Sequence, residues 1–294
     1  MPTHVLAVAG AKGGVGKTTT SINLSASLAK RGANVVVVET DLAMANAVDF
    51  LKLDFNEETD PTLHEVLAGQ ASVESAIYRA PGDIDILPSG VDLETYSAAD
   101  PNALGPVVDK LKQRYDVIVL DTGAGLSRET LIPLGLADSS VIISTPRLAS
   151  VRDAEKTIEL ASRVGGDVAG IMFTMSGTGR APAPERIAQY LTVEYLGHVP
   201  EDDAVPSSQD SGRPVVVHAS QSPAGQAYTG IADKLIGILT GRQPKPTQAT
   251  ATAQSDGGDE KEEFTRSGSS DQGGSDGSGI IPTVSDRPPH GSRD

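Results

Sequence analysis

Ala11-Lys12-Gly13-Gly14-Val15-Gly16-Lys17-Thr18-Thr19 lies between an apolar run, His4-Val5-Leu6-Ala7-Val8-Ala9, and a helix-like segment, Thr20 to Arg31. Strand, glycine-rich turn and helix, in that order, arrange successive backbone N–H groups as an anion-binding nest at the positive end of a helix. The stretch therefore reads as a phosphate-binding loop. Gly13, Gly14, Val15 and Gly16 form the cradle, Lys17 reaches the β- and γ-phosphates, and the Thr18 hydroxyl ligates Mg²⁺ with Thr19 beside it. The spacing departs from the strict pattern, because Ala11 stands where a glycine is usual and Gly10 comes one residue early. In exchange there is a second lysine, Lys12, ahead of the double glycine.

Outward from the loop, short apolar runs alternate with helix-like segments. Val35–Val38, Ile84–Leu87, Val117–Leu120, Val141–Ile143 and Val168–Phe173 are apolar on nearly every residue, as suits strands covered on both faces. Helices are expected near 62–68, 101–113, 150–164, 184–191 and 223–240. The alternation predicts an α/β fold: a doubly wound, mainly parallel sheet with helices on both faces. Ligands of such sheets sit at the carboxyl ends of the strands. Asp41 and Asp121 fall there, each just after an apolar run. Asp121 has the placement of a carboxylate that holds Mg²⁺ through a bound water.

Composition narrows the function. The 294 residues contain no cysteine, which excludes disulfides, thiol catalysis and iron–sulfur or zinc–thiolate ligation. No apolar stretch approaches the ~20 residues needed to span a bilayer, and a cytoplasmic protein is expected. The net charge is −15. Residues 243–294 carry nine acidic and five basic side chains, so most of the negative charge belongs to the preceding part. Such a surface opposes nonspecific attraction to nucleic acid or anionic lipid. It also suits molar salt, where the Debye length falls to ~3 Å and carboxylate repulsion is screened. From about Arg242 the chain is dominated by Gly, Ser, Asp, Thr, Gln and Pro. The expected organisation is a nucleotide-binding domain over 1–242 and a disordered acidic Gly/Ser-rich tail over 243–294. The five histidines are scattered without metal-ligand spacing.

Lys-Gly-Gly-Val-Gly-Lys-Thr-Thr, residues 12–19, resembles the deviant Walker A motif of the MinD/ParA family of ATPases. The resemblance covers about residues 1–240 and is nearer the MinD branch, of an archaeal, halophilic type. It implies a P-loop NTPase of the SIMIBI kind that takes ATP and Mg²⁺, with Lys12 crossing a nucleotide-sandwiched homodimer to the partner's phosphates. Asp41, in Glu39-Thr40-Asp41-Leu42-Ala43-Met44-Ala45-Asn46, resembles the first-switch aspartate that positions the attacking water. Glu39 stands where relatives carry a second Asp and receives no firm role, and Asn46 is either a nucleotide or partner contact or a turn residue. Asp121-Thr122-Gly123-Ala124-Gly125 resembles the second switch, which puts Gly125 near the γ-phosphate. Gly197-His198-Val199-Pro200-Glu201-Asp202-Asp203 is similar to the loop near the base, so Pro200, Glu201 and Asp202 are expected to contact it.

Two departures bear on function. Thr174 occupies the place of an adenine-reading Asn, which weakens strict ATP-over-GTP selectivity. The chain also ends in the polar tail, not in a basic amphipathic helix, and Gln226–Leu239 lacks the basic face of an interfacial helix. That segment is expected to be the last core helix. Direct membrane binding is therefore not expected, and recruitment to a pole or membrane would pass through an unidentified protein partner, with the tail as a candidate contact. The expected activity is a dimerising ATPase switch, slow and partner-stimulated, that positions a cellular structure or the division machinery. A ParA-type DNA segregation ATPase and a nucleotide-binding scaffold with little hydrolysis are the alternatives.

Overall fold

The computed structural model describes residues 3–56, 59–125, 128–177 and 181–240. The tail expected over 243–294 lies outside the described residues, as does the boundary at 242. The apolar runs form a sheet of eight strands: β1 (His4–Ala9), β2 (Val35–Glu39), β3 (Tyr78–Ala80), β4 (Ile84–Leu87), β5 (Val117–Asp121), β6 (Ser139–Ser144), β7 (Asp167–Ser176) and β8 (Tyr195–Pro200). Their order is β3-β4-β2-β5-β1-β6-β7-β8. Every pairing is parallel except that of β3 with β4. β1 is therefore central, between β5 and β6, and the strand order turns about it, which is where a doubly wound sheet opens its ligand crevice.

Strand alternation divides the core into two layers. Val5, Ala7, Val36, Val38, Ile118 and Leu120 face one side, packed with Val107, Leu111, Val151 and Ile187 of the helices Leu104–Leu111, Leu148–Arg163 and Pro184–Leu191. Leu6, Val8, Val35, Val37, Val117 and Val119 face the other, against Ile22, Leu28, Tyr228 and Leu235 of the helices Lys17–Ala29 and Pro223–Leu239. Each fully buried Val, Leu or Ile among them contributes roughly 1.5–3 kcal/mol. Pro223–Leu239 is a core helix, as its apolar spacing implied: Tyr228, Ile231, Ala232 and Leu235 are all buried.

Several elements differ from the sequence-based expectation. The first helix begins at Lys17, so it includes the three residues at the loop's mouth. Ile84–Leu87 is the fourth strand in the chain, because Tyr78–Ala80 adds a three-residue antiparallel edge. Gly197–Pro200, read as loop, belongs to β8. Gly197 marks a close approach: a Cβ there would lie 2.7 Å from Ile231 of the last helix. The helices Ala47–Leu51, Leu93–Ala98, Arg128–Leu136, Ala204–Asp210 and Val215–His218 were also not anticipated. Leu93–Ala98 buries none of its residues, and Arg128–Leu136 carries Pro133 inside it, so neither offers a clean apolar period.

At the edge strand, Arg79 pairs with Asp83 at 3.1 Å and Asp85 at 3.2 Å. No helix among the described residues is long and apolar enough to cross a membrane.

Candidate functional site

The loop after β1 turns through Gly14 and Gly16, whose φ values of 76° and 85° favour glycine. A Cβ on Gly13 or Gly14 would meet nothing within 4 Å, so the concave side of the loop is open. Gly16 is the N-cap of the helix Lys17–Ala29 and no side chain caps it, which leaves first-turn N–H groups for an anion. A cavity of about 690 Å³ opens there, walled by Gly13, Gly16, Lys17, Thr18 and Asp41 among others.

Next to Lys17 and Thr18 the charges are arranged around a buried carboxylate. Asp121 ends β5 and is 1% exposed. It accepts a hydrogen bond from Ser21 Oγ at 2.9 Å, and the nearby Thr18 hydroxyl favours its charged form. Burial pushes its carboxyl up to about 6, against the pull of Thr18, Ser21 and Lys17. Lys17 is itself buried, and desolvation lowers its ammonium from the ordinary value while Asp121 and Asp41 draw it back up. A hydroxyl and a carboxylate side by side, with a lysine and an open glycine nest, form the donor set of Mg²⁺ and a polyphosphate. The residues fit that group.

The two segments after β2 and β5 converge on the same place. Thr40 N–H and Oγ1 both donate to the Asp121 carbonyl, at 2.8 and 2.9 Å. A Cβ on Gly123 would stand 3.3 Å from the Asp41 carboxylate, so Asp41 lies against that turn. Gly125, at φ 93°, donates its N–H to the Ala11 carbonyl at 3.0 Å and ties the second segment to the phosphate loop.

A smaller cavity, about 220 Å³, adjoins the loop and is lined by Thr19, Thr174, Pro200, Glu201, Asp202 and others. The three residues expected near the base thus share one wall. The Asp202 carboxylate is engaged there, accepting the N–H groups of Ala204 and Ala224 at 2.9 Å each. Thr174 donates its hydroxyl to the Val15 carbonyl at 2.7 Å, fastening the phosphate loop to β7.

Of the residues singled out from sequence, Lys17, Thr18, Asp41 and Asp121 are brought together. Lys12 is not: its side chain is exposed, whereas Lys17 is buried beside Asp121. Sequence reasoning missed Ser21, one helical turn beyond Lys17, a spacing that could have found it. It also missed Gln209, whose Nε2 donates to Thr19 Oγ1 at 3.1 Å from a helix without a readable pattern.

Glu39, given no firm role by the sequence, ends β2 as a buried carboxyl. It is 1% exposed, and burial raises its carboxyl to about 7 despite the hydrogen bonds of Asn46, Ser89 and Ala47. Since its folded value exceeds the ordinary one, this stabilising contribution is complete below about 4.5 and is lost as pH rises through about 7. Nucleotide-free protein should accordingly gain stability as pH falls from 7.5 to 5.5. We expect the midpoint of thermal unfolding to rise by about 5 °C over that window. Differential scanning calorimetry of wild type and Glu39→Gln checks this, the variant showing the smaller pH response.

Sheet order, phosphate loop and paired carboxylates define a P-loop nucleoside triphosphatase. A family model described as an AAA domain matches residues 3–165, and one described as the ParA-group NUBPL iron-transfer P-loop NTPase matches 107–236. An ATP-binding protein of Methanocaldococcus jannaschii is 39% identical over 234 residues, 79% of this chain and 87% of that protein. Among solved structures, the cell division ATPase MinD of Pyrococcus furiosus superposes with a TM-score of 0.76 at 32% identity, covering 81% of this chain and 100% of that one. The septum site-determining protein MinD of Pyrococcus horikoshii, complexed with Mg-ADP, gives 0.75 at 33% identity, covering 81% and 98%. The chain belongs to the ParA/MinD family of ATPases. With no cysteine, it lacks the thiolates that an iron–sulfur cargo would need.

Proposed function

We propose that this protein is a MinD-like ATPase switch. It takes ATP and Mg²⁺, dimerises in the ATP-bound state, recruits partner proteins that position a cellular structure or the division machinery, and is reset by hydrolysis. The observation that carries this reading is the meeting of Lys17, Thr18, Asp41 and Asp121 at one open glycine nest, with Lys12 left exposed.

In this reading Lys17 neutralises charge on the γ-phosphate, and Asp41 orients the attacking water beside Gly123. Thr18 and Asp121 would hold Mg²⁺, which would supply positive charge against the phosphate oxygens. Gly13 to Thr19 and Gly125 cradle the phosphates, and the wall of Pro200, Glu201 and Asp202 takes the base. Lys12 reaches the phosphates of a second copy, as an arginine finger supplied in trans does.

The ATPase domain spans 1–242, and the segment 243–294 is the proposed contact for a recruiting partner. The net charge of −15 opposes a DNA-gripping role and suits an assay in molar salt. The protein acts from the cytoplasm and reaches a pole or membrane through its partner.

If Lys12 acts in trans, turnover per molecule rises with protein concentration and saturates as dimers form. Lys12→Ala should abolish that rise and lower saturating turnover by about 10²-fold or more, a magnitude typical of a transition-state cation. Phosphate-release assays over a dilution series, with light scattering for mass, check it. Turnover independent of concentration in wild type would sink the dimer requirement.

A further inference from the structure

Glu39 lies outside the phosphate cavity, yet its carboxylate uses both oxygens on the first switch segment and a neighbouring loop. Oε1 accepts the N–H groups of Asn46 at 2.6 Å and Ala47 at 2.9 Å. Oε2 accepts the N–H of Ser89 at 3.0 Å, in the loop after β4. The short helix Ala47–Leu51 has Asn46 as N-cap without a side-chain cap bond of its own, so Glu39 satisfies its first donors from a distance.

The segment between β2 and that helix is thereby fastened at both ends. At the near end Thr40 is held twice to the Asp121 carbonyl. At the far end Asn46 and Ala47 hang on Glu39. Asp41 lies between the two, with Oδ1 accepting the Met44 N–H at 3.2 Å. We propose that Glu39 is a positioning residue: it clamps the far end of the switch segment to the loop 88–90, and thereby holds Asp41 in register with the water it directs.

This rests on the role given to Asp41 above, but the clamp can be tested apart from it. Reach matters as well as charge. An aspartate is shorter by ~1.5 Å, one carbon–carbon bond, and cannot bridge Asn46, Ala47 and Ser89 in place. A glutamine keeps the length but turns one acceptor into a donor facing an N–H group.

The test compares Glu39→Gln and Glu39→Asp with wild type in two measurements. The first is amide hydrogen exchange in the nucleotide-free protein. Exchange at Asn46, Ala47 and Ser89 should accelerate about tenfold or more, with β1 and β5 amides unchanged. The second is single-turnover ATP hydrolysis alongside ADP affinity. Hydrolysis should fall between about tenfold and 10²-fold, as for a small misplacement of a catalytic group, while ADP affinity stays within about threefold. A merely structural residue would move both binding and hydrolysis or neither.

Unchanged exchange at the three amides overturns the clamp. Faster exchange with unchanged hydrolysis overturns the positioning role. If wild type itself does not hydrolyse ATP, the functional reading has failed, and the exchange result still decides the clamp. Should the glutamine variant not fold, Glu39→Asp carries both measurements.

Discussion

Lys17→Ala is expected to lower ATP turnover by about 10³-fold and triphosphate affinity by at least about tenfold, the scale seen when a charge-stabilising donor is removed from a preorganised site. The reason lies in where the ammonium sits. It is 8% exposed, poorly hydrated, and directed among two carboxylates at the mouth of the helix Lys17–Ala29. Because desolvation already lowers its ordinary proton affinity, an added anion recovers an interaction that solvent does not supply. Removing it also takes from Asp121 a cation that favours its charged form. The pH below which Mg²⁺ binding fails should therefore move upward in the variant. Phosphate release and Mg²⁺-dependent binding of a fluorescent ATP analogue, both measured across pH 5.5–8, read the two effects. Wild-type turnover in Lys17→Ala would remove the basis of the whole functional reading.

Asp41→Asn should separate binding from chemistry. The amide preserves shape, so ATP affinity should stay within about threefold of wild type, while hydrolysis falls by about 10²- to 10⁴-fold, the range of a positioned acid–base group. Asp41 lies against the Gly123 turn, close enough to influence both Lys17 and Asp121 electrostatically. It is thus at the site without being the buried carboxylate of the set. With hydrolysis blocked, the ATP-bound dimer should persist, and light scattering after ATP addition should show dimers that outlast those of wild type. If Asp41→Asn weakens ATP binding as much as it slows hydrolysis, Asp41 is a binding group and the water-directing role falls.

The parts of the site legible in the sequence were those whose chemistry is encoded by spacing. A glycine nest must sit between strand and helix, and residues 11–19 did so with two lysines at fixed offsets. Asp121 was readable because an apolar run buried on both faces ends at its carboxyl edge, where a charged residue stands out; Asp41, two residues past Glu39, was placed by its resemblance to a first-switch aspartate. The parts that were not legible depend on tertiary reach. Glu39 finds its partners 7, 8 and 50 residues away, and Gln209 reaches Thr19 across 190. Such pairings leave no local period. β3 was missed because three residues, one of them an exposed arginine, carry too little alternation. β8 was missed because Gly197 resembles a turn signal when its real cause is the closeness of Ile231.

That short edge strand has a consequence for how the sheet could be extended. An open sheet edge is a template, and two such edges can zip into a continuous sheet that does not come apart. Here one rim is only Tyr78–Ala80, runs against its neighbour, and carries Arg79 locked between Asp83 and Asp85. An incoming strand would find a grip only three residues long, with a charged side chain at its middle. Edge-to-edge pairing at this rim has little to hold, which guards the folded chain against aggregation there.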